Sequence, residues 1–192
     1  MLRQEEIGSM RVIAGSARRI QLDTPKGMDT RPTTDRIKET LFNMLSDEIP
    51  GCRFLDLFAG SGQIGIEALS RGAQSAVFVD RNRQAASIID SNLQRTHLKE
   101  HAQVICTDVQ SALKQLRPER PFSIVFMDPP YAQGHIARVL PLLTSDLLTD
   151  RNTLLIAEEK EDANFSFVND LGFTVIRQKI YKTNCHVFLR RK

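Results

Sequence analysis

Between residues 54 and 157, short apolar runs alternate with segments of helical periodicity, and this rhythm limits the fold more than any other feature of the chain. Residues 54–58, 76–80, 103–107, 122–127 and 153–157 have the length and apolar content of strands. Residues 63–70, 83–96, 109–116 and 134–143 read as the intervening helices, with Gly72 closing the first and Pro141 bending or ending the last. Strands joined through helices run parallel, because each helix carries the chain back across the sheet. The C-terminal end departs from this. Residues 173–181 and 186–190 are both strand-like, and only four residues part them. A parallel crossover needs about a dozen residues, so these two pair antiparallel. The expected fold class is therefore α/β, a doubly wound parallel sheet with helices on both faces that closes with an antiparallel hairpin.

Ahead of the sheet, residues 11–15 and 18–22 read as two short strands joined by Gly15-Ser16, a small basic hairpin. A turn-rich loop follows, then a helix from about Thr34 with Ile37, Leu41, Met44 and Leu45 on one face. Thr33 or Thr34 is its expected cap and Pro50-Gly51 its end. Residues 1–9 precede a second methionine, Met10, and are set aside as an extension, an alternative start or an expression scar. Residues 10–192 suit one domain, an N-terminal extension over 10–50 and a core over 51–192.

Charge is unevenly placed. Residues 11–38 hold seven basic and three acidic residues, and residues 177–192 hold six basic and no acidic ones, around an acidic middle. Two basic ends point to a polyanion partner, although basic tails also serve solubility alone. No apolar run approaches the ~20 residues that span a bilayer, and the N-terminus lacks a signal-peptide core. Cys52, Cys106 and Cys185 are odd in number and in no metal-ligand spacing, so they read as buried reduced thiols in a cytoplasmic protein.

The first expected strand runs into Gly60-Ser61-Gly62-Gln63-Ile64-Gly65, a G-x-G-x-x-G that opens a helix. Glycines permit the tight turn and close backbone approach, and Asp80, twenty residues past Gly60, is placed to meet ribose hydroxyls. That much fits a nicotinamide dinucleotide. Asp56, inside the strand, repels a pyrophosphate but suits an ammonium, and Asp108 ends the third strand near where an adenine edge would lie. S-adenosylmethionine has an ammonium, a ribose and an adenine, and no phosphate. Spacing alone does not settle the choice.

Asp128-Pro129-Pro130-Tyr131 follows the strongly apolar fourth strand. Two prolines stop pairing and fix a stiff corner. An acid, a rigid carbonyl and an aromatic ring are then held at the carboxyl edge of the sheet, an arrangement suited to methylating an exocyclic amine on a flat base. Tyr131 can stack on the base, while Asp128 and the Pro129 carbonyl accept from the amino group. Such acceptors localise a lone pair otherwise delocalised into the ring, and Asp128 can take the proton. The plain alternative is a turn with a surface tyrosine.

Together, residues 56–73, Asp80, Asp108 and residues 128–131 resemble the class I methyltransferases that act on exocyclic amines. With Met10-Arg-Val-Ile-Ala-Gly, Arg18-Arg19 and the stretch from Thr30 to Leu45, the chain is similar to the RsmD family, which methylates the N2 amine of a guanine in 16S ribosomal RNA. The resemblance implies a Rossmann-like seven-stranded sheet whose last strand is antiparallel. It implies cofactor contacts at Asp56, Phe58, Gly60, Gly62, Asp80, Arg81, Asp108, Val109 and Asp128, and target contacts at Asp128, Pro129, Pro130 and Tyr131. It also implies an N-terminal hairpin and helix facing RNA, with Arg11, Arg18, Arg19, Arg31, Arg36 and Lys38 as candidate phosphate contacts. The expected protein binds S-adenosylmethionine, acts as a monomer on 16S rRNA or a small-subunit particle, and involves no metal and no membrane. Two departures are visible. Asp80 stands where the family more often has glutamate, and Tyr181-Lys182-Thr183-Asn184 replaces its usual tyrosine-glycine turn.

Rival readings are an adenine-N6 methyltransferase, a protein-glutamine methyltransferase, a nicotinamide-dependent dehydrogenase and a non-catalytic RNA-binding module. The dehydrogenase would need its own acid or base, and His97, His101, His135 and His186 form no assignable arrangement. The binding module leaves residues 128–131 without a purpose.

Overall fold

The computed structural model of the chain describes residues 10–25, 35–131 and 133–192. Seven strands form one sheet: β1 (Arg53–Leu57), β2 (Ser75–Asp80), β3 (Ala102–Cys106), β4 (Ile124–Met127), β5 (Leu154–Glu159), β6 (Phe173–Ile180) and β7 (Cys185–Arg191). Their order is β3-β2-β1-β4-β5-β7-β6. The first five run parallel, and β7 lies antiparallel to both β5 and β6. The described helices are α1 (Asp35–Met44), α2 (Gln63–Ser70), α3 (Arg83–Arg95), α4 (Val109–Gln115) and α5 (His135–Val139). Sheet and hairpin are as the alternation predicts.

Strand periodicity builds two cores, one on each face. Phe54, Ile124, Phe126, Ile156 and Phe188 turn to one face, where Leu41 and Phe42 of α1, Ile66 of α2 and Ile89 of α3 cover them. Their neighbours Leu55, Leu57, Val125, Met127 and Leu155 turn to the other, against α4 and α5. Since side chains alternate along a strand, Asp56 shares a face with Phe54, and Glu158 with Ile156. That parity governs the site below.

The N-terminal segment differs from the expected hairpin. Its two arms do run antiparallel, joined by the Arg11–Gln21 bridge and by backbone bonds from Val12 to Ile20 at 3.0 Å, Arg19 to Val12 at 2.9 Å and Leu22 to Met10 at 2.8 Å, but neither arm is a regular strand. The reason is that α2 takes the donors nearest the bend. Backbone N–H groups of Ile13 and Ala14 donate to the Glu67 carboxylate at 2.8 and 3.0 Å, and those of Ser16 and Ala17 go to the Ser70 carbonyl and hydroxyl at 2.8 and 3.0 Å. Gly15, at φ +85°, passes so close that a Cβ there would sit 1.8 Å from the Ser70 oxygen. Lys38 of α1 is wholly buried beneath this segment, donating to the Arg11 carbonyl at 2.6 Å and lying 3.8 Å from Glu67.

Smaller differences have local causes. The helix expected over 134–143 gives way at Leu140 to a 3-10 turn, Leu140–Thr144, where Pro141 has no N–H to donate. The caps expected at Thr33 or Thr34, and Arg31, lie outside the described residues. Cys52 and Cys185 are buried as expected, but Cys106 is exposed at the end of the edge strand β3. No helix among the described residues is long and apolar enough to cross a membrane.

Candidate active site

The carboxyl ends of β1, β2 and β4 lie side by side on one edge of the sheet. After β1 the chain takes a left-handed step at Phe58 (φ 64°), strained for a residue with a Cβ, and further left-handed steps at Gly60 (φ 56°) and Gly62 (φ 77°) before α2 begins. Acids on β1 and β2 hold this turn from within. Asp56 accepts from the Gly65 N–H at 2.9 Å. Asp80 accepts from Gly60 N–H at 2.9 Å with one oxygen and from Asn82 N–H at 2.8 Å with the other. The turn's N–H of Gly60 and the helix N–H of Gly65 therefore already face carboxylates. A pyrophosphate has to compete with them, which weighs against the dinucleotide reading.

Asp56 is almost fully buried, and burial pushes its carboxyl up to about 8 against the Gly65 hydrogen bond, with the nearby Asp80 charge adding to the rise. An incoming ammonium relieves both penalties. Asp108, by contrast, is exposed and caps α4, accepting from Ser111 N–H at 3.0 Å. Those local donors hold it below the usual carboxylate range. Arg81 is exposed next to Asp80, and Val109 is buried as the first residue of α4.

The corner after β4 stands beside these groups. Asp128 extends the ladder by one residue, its N–H 3.4 Å from the Leu57 carbonyl. Pro129 is buried, Pro130 exposed, and Tyr131 half-buried. Burial, then the charges of Glu158, Asp56 and Glu159, drive the Asp128 carboxyl well above its ordinary value. Once ionised, it is a stronger base than an ordinary carboxylate.

Sequence reasoning missed what holds Tyr131. Its hydroxyl donates to Glu158 Oε1 at 3.0 Å, and Asn184 Nδ2 donates to the same oxygen at 2.6 Å. The other oxygen, Oε2, is 3.0 Å from His186 Nε2, and His186 Nδ1 is 3.4 Å from the Tyr181 hydroxyl. Glu158 and His186 are register partners on β5 and β7, both buried. Burial opposes the Glu158 charge, but donors from His186, Asn184 and Tyr131 outweigh it and leave its carboxyl below the ordinary range. The available signal was parity: Glu158 lies near the end of an apolar strand two residues past Ile156, hence on the Asp56 face.

The candidate phosphate contacts divide. Arg18, Arg19 and Arg36 are exposed, and Arg11 is exposed while paired with Asp35 at 2.9 Å. Lys38 is corrected: fully buried between Glu67 and the Arg11 carbonyl, it offers RNA no surface, and it is a structural lysine.

Known proteins resemble this chain over most of its length. A family model described as Conserved hypothetical protein 95 matches residues 10–190. The Bacillus subtilis protein YlbH is 41% identical over 167 residues, 86% of this chain and 91% of that one. The Haemophilus influenzae Ribosomal RNA small subunit methyltransferase D is 35% identical over 173 residues, 90% of this chain and 89% of that one. The solved structure of Escherichia coli yhhF superposes with a TM-score of 0.81 at 31% identity, covering 96% of this chain and 99% of that chain. With a family match over nearly its whole length and relatives of this similarity, the chain belongs to the RsmD family and has the class I methyltransferase fold.

Proposed function

We propose that this protein transfers a methyl group from S-adenosylmethionine to the exocyclic N2 amine of a guanine in the 16S rRNA of the small ribosomal subunit. The observation that carries the reading is the Asp128-Pro129-Pro130-Tyr131 corner, set on the same sheet edge as the glycine turn and its acids. Relatives named for ribosomal RNA small subunit methyltransferase D supply the substrate class.

The chemistry follows from charge. Asp56 favours the ammonium of the donor, Asp80 its ribose and Asp108 its adenine, while Phe58 and Val109 offer apolar surface beside them. S-adenosylmethionine supplies the electrophilic methyl when bound. The protein's own groups do the rest. Tyr131, pinned by Glu158, presents a fixed ring for the extruded base. The Pro129 carbonyl and Asp128 accept from the amine, and Asp128 takes the proton released as the N–C bond forms. Guanine presents two adjacent donors, N1–H and N2–H, to this acid-rich corner, whereas adenine presents one; this favours guanine over the adenine-N6 reading. Extruding a base from a helix costs a few kcal/mol, which fixed stacking offsets in part.

The test is Asp128→Ala. Methyl transfer to small-subunit rRNA is expected to vanish while S-adenosylmethionine affinity, read by calorimetry, stays within about tenfold. Wild-type turnover in that variant would refute the role. Mass spectrometry of the nucleoside modified by the wild-type protein identifies the base.

A further inference from the structure

The six basic residues near the C-terminus are not equivalent once folded. Arg190 lies 3.7 Å from Glu48, Arg191 pairs with Asp146 at 2.8 Å and with the Thr149 carbonyl, and Lys192 donates to the Asn169 carbonyl. These three tie β7 and the chain end to the core. Arg177, Lys179 and Lys182 are exposed, and among the described residues none of them pairs with a carboxylate.

Their placement is directional. β6 is the outermost strand, so one row of its backbone N–H and C=O groups has no strand partner. Arg177 pairs in register with Phe188 and Lys179 with His186, so both stand on the face that carries α1 and the N-terminal segment. Arg177 lies over the Phe188 ring at 6.0 Å, which fixes its guanidinium. Along β6 the chain climbs toward the carboxyl edge, and the turn bearing Lys182 ends at Asn184, which bonds the same Glu158 oxygen as Tyr131. Three uncommitted cations thus lead to the catalytic corner. The exposed apolar residues of β6 lie elsewhere: Val175 and Ile180 pair in register with Leu189 and Cys185 and so turn to the opposite face, and Ile176 sits at the bulge.

We propose that β6 and the turn after it form a phosphate track for the RNA entering the active site, with Arg177, Lys179 and Lys182 as its contacts. The proposal rests on the rRNA reading above and gives it a second anchoring surface, on the far side of the corner from the glycine turn. Phosphates take the cations and orient the strand. The competing explanation is protective. Lysines on an edge strand also deter pairing with a second copy of the chain.

The experiment compares wild type with the combined variant Arg177→Gln, Lys179→Gln and Lys182→Gln, without methyl donor, binding in vitro transcribed small-subunit rRNA across a salt series. The track predicts that affinity at 0.1 M salt falls about tenfold or more and that the slope of log affinity against log salt drops by roughly 2, three contacts at ~0.7 each. Donor affinity stays unchanged. Equal affinity and slope overturn the proposal, as does a variant whose only change is self-association in sedimentation. Methylation by the wild-type protein is scored separately. If it methylates rRNA and the variant binds normally, only the track fails. If binding weakens as expected but no rRNA is methylated, the functional reading fails and the track stands.

Discussion

Two residues test the site's electrostatics individually. Asp56 holds a proton in the folded protein up to about pH 8, whereas its ordinary value is 3.8. Folding therefore binds a proton that the unfolded chain releases, and this contribution is complete below about pH 4 and lost as pH rises through 8. Asp56→Asn should flatten the decline of stability between those limits in urea titrations of the donor-free protein. The donor's ammonium favours the ionised acid, so wild-type donor affinity should rise with pH over the same window, and the variant's should not. Glu158 acts at one remove. Glu158→Gln keeps the shape but replaces an oxygen that accepts from Tyr131 and Asn184 or from His186. A loosened Tyr131 ring should lower kcat by up to about 100-fold with donor affinity unchanged, and Glu158→Asp should recover part of it. A loss confined to KM would place Glu158 in binding alone.

At the scale of elements, the turn between β1 and α2 depends on two glycines in different ways. A Cβ at Gly65 would lie 2.3 Å from Phe78 of β2, so alanine there forces α2 off the sheet and stretches the Asp56 hydrogen bond. Gly65→Ala should cost roughly 1–3 kcal/mol and weaken donor binding as well. Gly60 meets nothing within 4 Å, and its substitution strains only the backbone at φ +56°. Gly60→Ala should cost no more than about 1–2 kcal/mol. Equal losses in thermal unfolding would mean that packing against β2 does not fix α2. This turn was readable from residues 60–65 because glycine spacing encodes a local conformation. The anchorage of the N-terminal bend was not, because its partner groups on Glu67 and Ser70 are more than fifty positions away.

Across the whole molecule, the N-terminal segment is joined to the core through Lys38 and Glu67. Burial lowers the lysine's proton affinity, while Glu67 and Asp35 pull the other way. Lys38→Met should destabilise the protein by about 3–5 kcal/mol, since it leaves Glu67 short of a cation in the interior. Arg71, at 2.7 Å from Glu67, moderates that loss. The outcome is read in denaturant midpoints, and an unchanged midpoint would show that Arg71 alone satisfies the acid. Because Lys38 is enclosed, a loss of RNA affinity beyond that expected from unfolding would contradict its structural role.

Local chemistry was enough to write the order of strands and helices, the closing antiparallel pair, the glycine turn and the corner at Asp128. Each depends on neighbours within a few residues: alternation, helical period, a turn's need for glycine, a proline's missing N–H. Only the folded chain decided which charges face solvent and which face each other. It buried Lys38, placed His186 opposite Glu158 and so fixed Tyr131, and separated the tethered Arg190, Arg191 and Lys192 from the exposed Arg177 and Lys179 of β6. The physical reason is that a side chain's energy depends on its surroundings, and pairing across the sheet brings together residues that sequence distance cannot connect.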